Sequence, residues 1–230
     1  SSINTSGQFV YDSHYEQMNA YNRYDLNSNL LELTNRKNTS CLIREPSTGD
    51  IWAKIANSTY AGAAYSSFEH SIASSFTNWN YNLAGIVSLV DAQNGAKAYT
   101  LSTPNPINSV QPLVSTQKYK ISYWRKTSAT VSVSVKASGV NVTLRTGPER
   151  NGWRYYEGTF TGATTVQITG DATIDELRLY PQSARMSSYV YKDGVGISSQ
   201  CNENNQNIVW EYDEFNRLKL TRDQDGNILE

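Results

Sequence analysis

The sequence predicts an all-β fold, a jelly-roll β-sandwich flanked on both sides by β-hairpins. Three observations support this prediction. Apolar and polar residues alternate with a period of two through the middle of the chain, turn residues separate the alternating runs, and a Tyr-Asp unit recurs in both flanks. The same three features divide the chain into residues 1–60, 61–182 and 183–230.

The middle zone contains six runs in which every second residue is apolar. Such alternation is typical of a strand with one buried and one solvated face, as in two antiparallel sheets packed together. Pairs such as Ser138-Gly139 and Asn151-Gly152 lie between the runs and favour tight turns. The predicted strands cover 118–125, 130–136, 140–145, 155–161, 165–169 and 174–180.

The two flanks share a short repeated unit. Tyr24-Asp25 is followed by an Asn-Ser-Asn turn and a leucine, Tyr212-Asp213 by Asn216 and a leucine, and Asp223 begins an offset copy that includes Gly226. In each copy we expect the aspartate to accept backbone N–H bonds and the Asn, Ser or Gly to take a positive φ. A single hairpin buries little surface, so the flanks are predicted to pair in a common sheet. Only the stretch 16–21 has a pattern that allows a helical turn.

These flanking units resemble the YD repeats of the Rhs family of bacterial surface and toxin proteins. The resemblance rests on Tyr212-Asp213 with Arg217-Leu218, on Asp223 with 226–228, and on Tyr24-Asp25 with 29–32. Asn216 stands where that family usually has glycine, a change that a left-handed turn position tolerates. The resemblance implies a place at the bacterial cell surface or in a secreted product, with further YD repeats of a parent protein as partners.

The middle zone is similar to jelly-roll carbohydrate-binding modules of galactose-binding-like fold. The similarity rests on Phe68-Glu69 with a downstream Trp79, on residues 94–101, and on 152–156 with 174–179. Ala98-Tyr99 departs from the usual small polar residue. In those modules a structural Ca²⁺ joins the first and last strands, which implies carboxylate ligands from Glu69 and Asp175 and a carbonyl near Lys97. The alternative is that both carboxylates make ordinary hydrogen bonds, because the Lys97 charge opposes a cation.

The sequence gives little support to catalysis. Its two histidines, His14 and His70, lie in no catalytic motif and are interpreted as polar surface residues. Asp175 and Glu176 are adjacent on a predicted strand, so their side chains should point to opposite faces and cannot flank one glycosidic bond. Asp223 and Asp225 are expected to cap a turn. A non-enzymatic protein is therefore predicted.

Aromatic side chains are the candidate glycan-binding residues, because flat rings stack on the C–H faces of sugars and polar neighbours hold the hydroxyl groups. The alternative is that most of these rings pack in the core, and for the loop 78–82 both interpretations stay open. Strand alternation also places Tyr155 and Tyr156 on opposite faces. The candidate site consists of Trp79, Tyr81, Trp124, Tyr156, Asn80 and Arg154.

Charge and cysteine content exclude several other roles. Basic and acidic residues number 20 and 21, with no basic stripe, so nucleic-acid binding is not expected. No apolar run approaches the roughly 18 residues of a membrane span. Cys41 and Cys201 are interpreted as separate, partly buried thiols or, alternatively, as a disulfide between the flanks. Two hypotheses remain: glycan binding by the sandwich, and a ligand-free spacer that braces a repeat shell.

Overall fold

A computed structural model of the chain describes residues 2–3, 9–10, 18–70 and 74–229. These residues form β-strands and three short 3-10 helices, Tyr60–Gly62, Ser74–Thr77 and Leu83–Gly85, which confirms the all-β class. Of the stretch proposed for a helical turn, residues 19–21 are in a strand and residues 16–17 lie outside the described residues. His14 also lies outside them.

Six strands come from the first flank and four from the last. The first six are β1 (Ser2–Ile3), β2 (Phe9–Val10), β3 (Asn19–Tyr24), β4 (Leu30–Asn35), β5 (Asn38–Arg44) and β6 (Ile51–Ala56). The middle zone contributes β7 (Ala64–Ser66), β8 (Trp79–Asn80), β9 (Ile86–Ser88), β10 (Lys97–Thr100), β11 (Ile107–Ser109), β12 (Tyr119–Lys126), β13 (Ser134–Ala137), β14 (Val140–Asn141), β15 (Leu144–Arg150), β16 (Trp153–Phe160), β17 (Val166–Thr169) and β18 (Thr173–Pro181). The last four are β19 (Arg185–Lys192), β20 (Gly196–Cys201), β21 (Asn207–Tyr212) and β22 (Leu218–Asp223).

Strands β7–β18 form two antiparallel sheets that enclose one apolar core, and we call this unit the sandwich. The seven-stranded sheet has the order β15-β16-β12-β18-β10-β9, with β7 also paired to β18, and the five-stranded sheet has the order β14-β13-β17-β11-β8. Ile121 and Leu179 of the larger sheet share a buried cluster with Ile168 and Val135 of the smaller one. Their alternation with polar neighbours is the pattern that predicted the sandwich.

The predicted strands match the observed ones except in one region. The run 130–136 is in a strand only from Ser134, and the run 140–145 is divided into β14 and β15. β14 belongs to the five-stranded sheet and β15 to the seven-stranded sheet, so the chain crosses between layers at this point. The alternation persists through the crossing because both sheets bury the same core. Asn151 and Gly152 both have positive φ, at 48° and 79°, as the turn chemistry predicts.

Strands β3–β6 and β19–β22 of the two flanks together form one eight-stranded antiparallel sheet, which we call the hairpin sheet, while β1 pairs with β2 in a separate two-stranded sheet. The order of the hairpin sheet is β22-β21-β20-β19-β6-β5-β4-β3, so the flanks meet where β6 pairs with β19. Ala53 lies opposite Ser188, and Ile55 lies opposite Met186. Residues 57–184 are therefore inserted between two neighbouring strands of a continuous sheet.

The hairpin sheet packs on the outer face of the seven-stranded sheet. Trp52, Ile55 and Met186 from the hairpin sheet share a buried cluster with Tyr65 of β7 and Tyr180 of β18. Tyr65 and Tyr180 alternate with Ala64 and Leu179, which face the core of the sandwich. The protein thus has three stacked β-layers and two buried interfaces. We call the interface between the sandwich and the hairpin sheet the junction.

Candidate functional site at the junction

The junction contains a buried ion pair that strand alternation did not predict. β18 carries a bulge between Asp175 and Arg178, the residues that pair with Trp124 and Ser122 of β12. Within this bulge Glu176 adopts a positive φ of 52°. A bulge adds one residue to a strand and breaks the alternation of its side chains. Asp175 and Glu176 consequently lie on the same side, since both bond to Asn94. The prediction that they point to opposite faces is wrong for this reason.

Glu176 is the central acceptor of the junction. One carboxylate oxygen accepts hydrogen bonds from the Tyr65 hydroxyl at 2.6 Å and the Asn94 amide at 2.8 Å. The other accepts from the Arg178 guanidinium at 2.9 Å and the Ser188 hydroxyl at 3.1 Å. Both members of the ion pair are only 1% exposed. Four donor side chains therefore satisfy this buried charge, as buried ions require.

Arg178 connects this cluster to the hairpin sheet. Its guanidinium donates to the Ser188 hydroxyl of β19 at 2.8 Å and to the Asn205 side-chain oxygen at 3.1 Å. Asn94 extends the network to β20, because its side-chain oxygen accepts from the Ser199 hydroxyl. Desolvation by burial raises the pKa of Asp175, and the neighbouring Glu176 charge adds to that shift. The polar half of the junction thus joins two strands of the sandwich to two strands of the hairpin sheet.

The residues implied as calcium ligands do meet at one loop. Glu69 accepts backbone N–H bonds from Ala96 at 2.9 Å and Lys97 at 2.7 Å, and Asp175 accepts from the Asn94 backbone at 3.1 Å. A Cβ on Gly95 would lie 2.4 Å from a Glu69 carboxylate oxygen, so glycine is required for this approach. Burial raises the pKa of Glu69 to about 7, against the opposing effect of the Lys97 and Ala96 N–H bonds.

These side chains fit N–H donors better than a cation. The Lys97 ammonium lies 2.7 Å from the Glu69 carbonyl oxygen, and the second Asp175 oxygen accepts from the Glu176 backbone. Over the described part of the chain, no group of three His, Cys, Asp or Glu side chains is arranged to hold a metal ion. Ca²⁺ takes about six to eight oxygen ligands. The donor set of Glu69, Lys97 and Asp175 does not fit that requirement.

The structure places three of the predicted glycan-binding rings inside the protein. Trp79 is 0% exposed, Trp124 is 2% exposed and Tyr81 is 7% exposed. Trp79 and Tyr81 belong to the core of the sandwich, and Trp124 packs with Trp153 on the outer face of its larger sheet. A sugar cannot stack on rings that have no accessible face. The prediction that these rings form a platform is therefore wrong.

The other three predicted residues are accessible, but only Tyr156 and Arg154, which are neighbours on β16, lie together. Tyr156 is half-buried, stacks on Tyr123 at 5.5 Å and carries the Arg125 guanidinium over its ring. Arg154 is exposed and paired with Glu149, while Asn80 is exposed on β8 of the other sheet. Tyr156 faces the core of the sandwich and Tyr155 faces away from it, as alternation requires.

Burial and packing decide three further predictions. Asn78 donates to the backbone carbonyls of Tyr60 and Ala63, each at 2.9 Å, so the asparagine-rich loop packs on neighbouring protein. His70 is half-buried and stacks on Trp52 at 4.2 Å, so it is wrong to interpret it as a simple surface residue. Burial lowers the pKa of His70. Cys41 and Cys201 are separate buried free thiols.

One open groove lies beside the junction. Its floor is the part of the seven-stranded sheet that the hairpin sheet leaves uncovered, and its volume is about 530 Å³. A continuation of about 370 Å³ runs between the two units and shares Lys120 and Gln182 with it. Lys120 and Glu157 form an ion pair of 2.6 Å on the floor. This groove could not be predicted from the sequence. Its lining residues, such as Lys120 and Glu157, lie on neighbouring strands and come together only when the strands pair.

Comparison with known proteins adds a likeness to solved structures. No protein-family model and no curated protein matches the chain. Among solved structures, the chain is similar to the CBM22-1 xylan-binding domain from Paenibacillus barcinonensis Xyn10C, with 13% sequence identity and a TM-score of 0.33. The match covers 51% of this chain and 92% of that one. At this level of likeness, no function passes from that domain to this chain.

Among the described residues, no helix is both long and apolar enough to cross a membrane.

Proposed function

We propose that the chain is a non-catalytic structural module in which the sandwich braces a sheet of repeated hairpins. The observation that carries this proposal is the direct pairing of β6 with β19. The inserted sandwich lies against the sheet from which it emerges and covers Trp52, Ile55 and Met186. If the sandwich were an independent domain on a linker, those side chains would be exposed to solvent. The hydrophobic stabilisation lost would be about 25 cal/mol for each Å² of apolar surface.

Recurrent turns support a YD-type repeat origin for the hairpin sheet. The carboxylate of Asp213 accepts backbone N–H bonds from residues two and four positions later, and Asp25 and Asp223 do the same. The third residue after each aspartate has a positive φ. Asn202 begins a fourth turn with the same bonds, which the sequence comparison missed because asparagine replaces aspartate. We place such a module at a bacterial cell surface or in a secreted product, with further repeats as its partners.

Deleting the sandwich tests the bracing role. A variant in which an Asn-Gly turn replaces residues 57–184 would join β6 directly to β19 as a hairpin. We expect the amides of β5, β6, β19 and β20 to lose most of their hydrogen-exchange protection, because one face of the sheet becomes exposed. The intact chain is the reference. Retention of full protection in the shortened sheet would show that the sandwich does not brace it.

Glycan binding is the second candidate function, and the groove beside the junction favours it. Small-molecule and saccharide sites are concave, with volumes of about 300–1,000 Å³ and a few placed polar groups. The groove has such a volume and is lined by charged, hydroxyl and amide side chains. Calorimetric titration of the intact chain with neutral and acidic polysaccharides tests this candidate. If no polysaccharide gave a heat of binding, glycan binding would be contradicted and bracing would be the remaining candidate function.

A further inference from the structure

The groove beside the junction has an unbalanced charge. Its two acidic side chains are already paired, Glu157 with Lys120 at 2.6 Å and Glu203 with Arg185 at 3.5 Å. The Tyr155 hydroxyl also donates to Glu157 at 3.3 Å. Each carboxylate therefore has a cationic partner within the protein. The remaining positive charges of the groove are not neutralised by these residues.

Lys118 and Arg145 supply that remaining charge. Both side chains line the groove, and both residues are exposed. Among the side chains that the structure describes, no carboxylate lies within ion-pair distance of either one. Arg145 lies directly opposite Glu157 in the pairing of β15 with β16, so it faces the groove beside an acid already held by Lys120. A guanidinium at such a position presents a fork of N–H donors that matches a carboxylate.

The other lining groups suit a hydroxyl-rich ligand. Thr143 and Thr159 contribute hydroxyl groups and Gln182 contributes an amide, and all three residues are exposed. Within the part of the chain that the structure describes, no aromatic ring lines the main groove, so stacking does not drive binding there. The overall charge of −1 argues against general attraction of polyanions. Local charge and hydrogen bonding then determine what this groove selects.

We propose that the groove binds an acidic polysaccharide through the carboxylates of its uronic acid units. Arg145 and Lys118 contact carboxylate groups, while Thr143, Thr159 and Gln182 bond to ring hydroxyls. Glu157 is a positioning residue that holds Lys120 on the floor. This proposal rests on the second candidate function, glycan binding, and names its ligand class and its contacts.

The test compares polygalacturonate with a neutral xylan of similar length on the intact chain. Affinity electrophoresis and calorimetry would be run on the wild type, on Arg145→Ala and on Lys118→Ala. Lys136→Ala is the matched control, because Lys136 is an exposed cation on β13 of the opposite sheet. We expect Arg145→Ala to weaken polygalacturonate binding by roughly tenfold, as the loss of one charge-assisted contact does. Free galacturonate and sulfate would be titrated as well, to separate recognition of the chain from binding of any small anion.

The outcomes distinguish the acidic-ligand assignment from glycan binding in general. Preference for polygalacturonate that falls with Arg145→Ala, and with added salt, supports the acidic-ligand assignment. Equal binding of xylan and polygalacturonate, unchanged in both groove variants, overturns it while leaving glycan binding intact. Equal affinity for free sulfate and for polygalacturonate per charge would also overturn it, since no polysaccharide would then be recognised. Retention of neither polymer overturns the acidic-ligand assignment, and only the absence of binding to every polysaccharide overturns the second candidate function as well.

Discussion

The two buried interfaces of this protein are built from different chemistry. Between the two sheets of the sandwich, side chains such as Ile121, Ile168 and Leu177 form an apolar core. At the junction, one part of the contact is apolar, around Trp52 and Tyr180, and the other part is an ionic network around Glu176. Apolar packing accepts many arrangements, whereas a buried charge tolerates only the position in which its partners reach it. We therefore interpret the junction network as the element that fixes how the two units dock.

Removing the cation of the junction should have the largest effect. Arg178→Ala leaves Glu176 buried without its charge partner, which typically reduces the free energy of unfolding by about 3–5 kcal/mol. Urea denaturation measures this change, and hydrogen exchange should show faster opening of β19 and β20. The double variant Glu176→Gln with Arg178→Met is the control, because it removes both charges and should lose less. A loss in Arg178→Ala no greater than in the double variant would contradict this role.

A cavity in the sandwich core should have a comparable or slightly smaller effect. Ile168→Ala removes methylene groups at a fully buried position and should reduce the free energy of unfolding by about 2–4 kcal/mol. Val131→Ala, at an exposed position, is the matched control. Unlike Arg178→Ala, this variant should leave the relative protection of β19 and β20 unchanged. Selective opening of the hairpin sheet in Ile168→Ala would show that the two interfaces are not distinct.

The junction should also make stability depend on pH. Burial raises the pKa of Glu69 to about 7 from its ordinary value of 4.5, so the folded state binds more protons between these values. The free energy of unfolding should therefore fall as pH rises from 4.5 to about 7 and stay level above that range. The raised pKa of Asp175 acts in the same direction, and the lowered pKa of His70 acts in the opposite one.

The difference between the wild type and Glu69→Gln isolates the Glu69 contribution. Denaturation at a series of pH values should show a wild-type decline that is shallower in the variant. An identical decline in the two proteins would mean that Glu69 has an ordinary pKa in the folded state.

The turns of the hairpin sheet should contribute less than either interface. Asp213→Ala removes the acceptor of the Phe215 and Arg217 N–H bonds at a half-buried turn position, so the melting temperature should fall less than in Ile168→Ala. Asp213→Asn is the control, because Asn202 already performs the same role in another turn. Equal destabilisation by Asn and Ala would show that the negative charge, rather than the turn acceptor, stabilises this hairpin.

Calcium should have no effect on either interface. One carboxylate oxygen of Glu69 and both of Asp175 already accept N–H bonds, so saturating Ca²⁺ should leave the melting temperature equal to that in a chelator. Differential scanning fluorimetry with Mg²⁺ as the ionic-strength control is sufficient. A rise with Ca²⁺ alone would show that the ion displaces these donors and that the calcium hypothesis holds.

The sequence by itself determined the all-β class, most strand positions in the sandwich and the hairpin turns. These features follow from local rules: alternation marks a face, and Asp, Asn and Gly mark turns that few other residues can form. Asp213 and Gly226 could be assigned their roles in this way because the partners of a turn lie within four residues.

Only the tertiary structure decided which faces are covered. Trp124 points away from the core of the sandwich, yet it is buried together with Trp153 in a cluster against which Leu89 packs. The bulge at Glu176, the bonds that Tyr65 and Asn94 donate to its carboxylate, and the groove beside Arg145 likewise depend on residues that are distant in sequence or on neighbouring strands. A periodic pattern shows on which side of a strand a side chain lies. Its exposure depends on which other parts of the chain pack against that side.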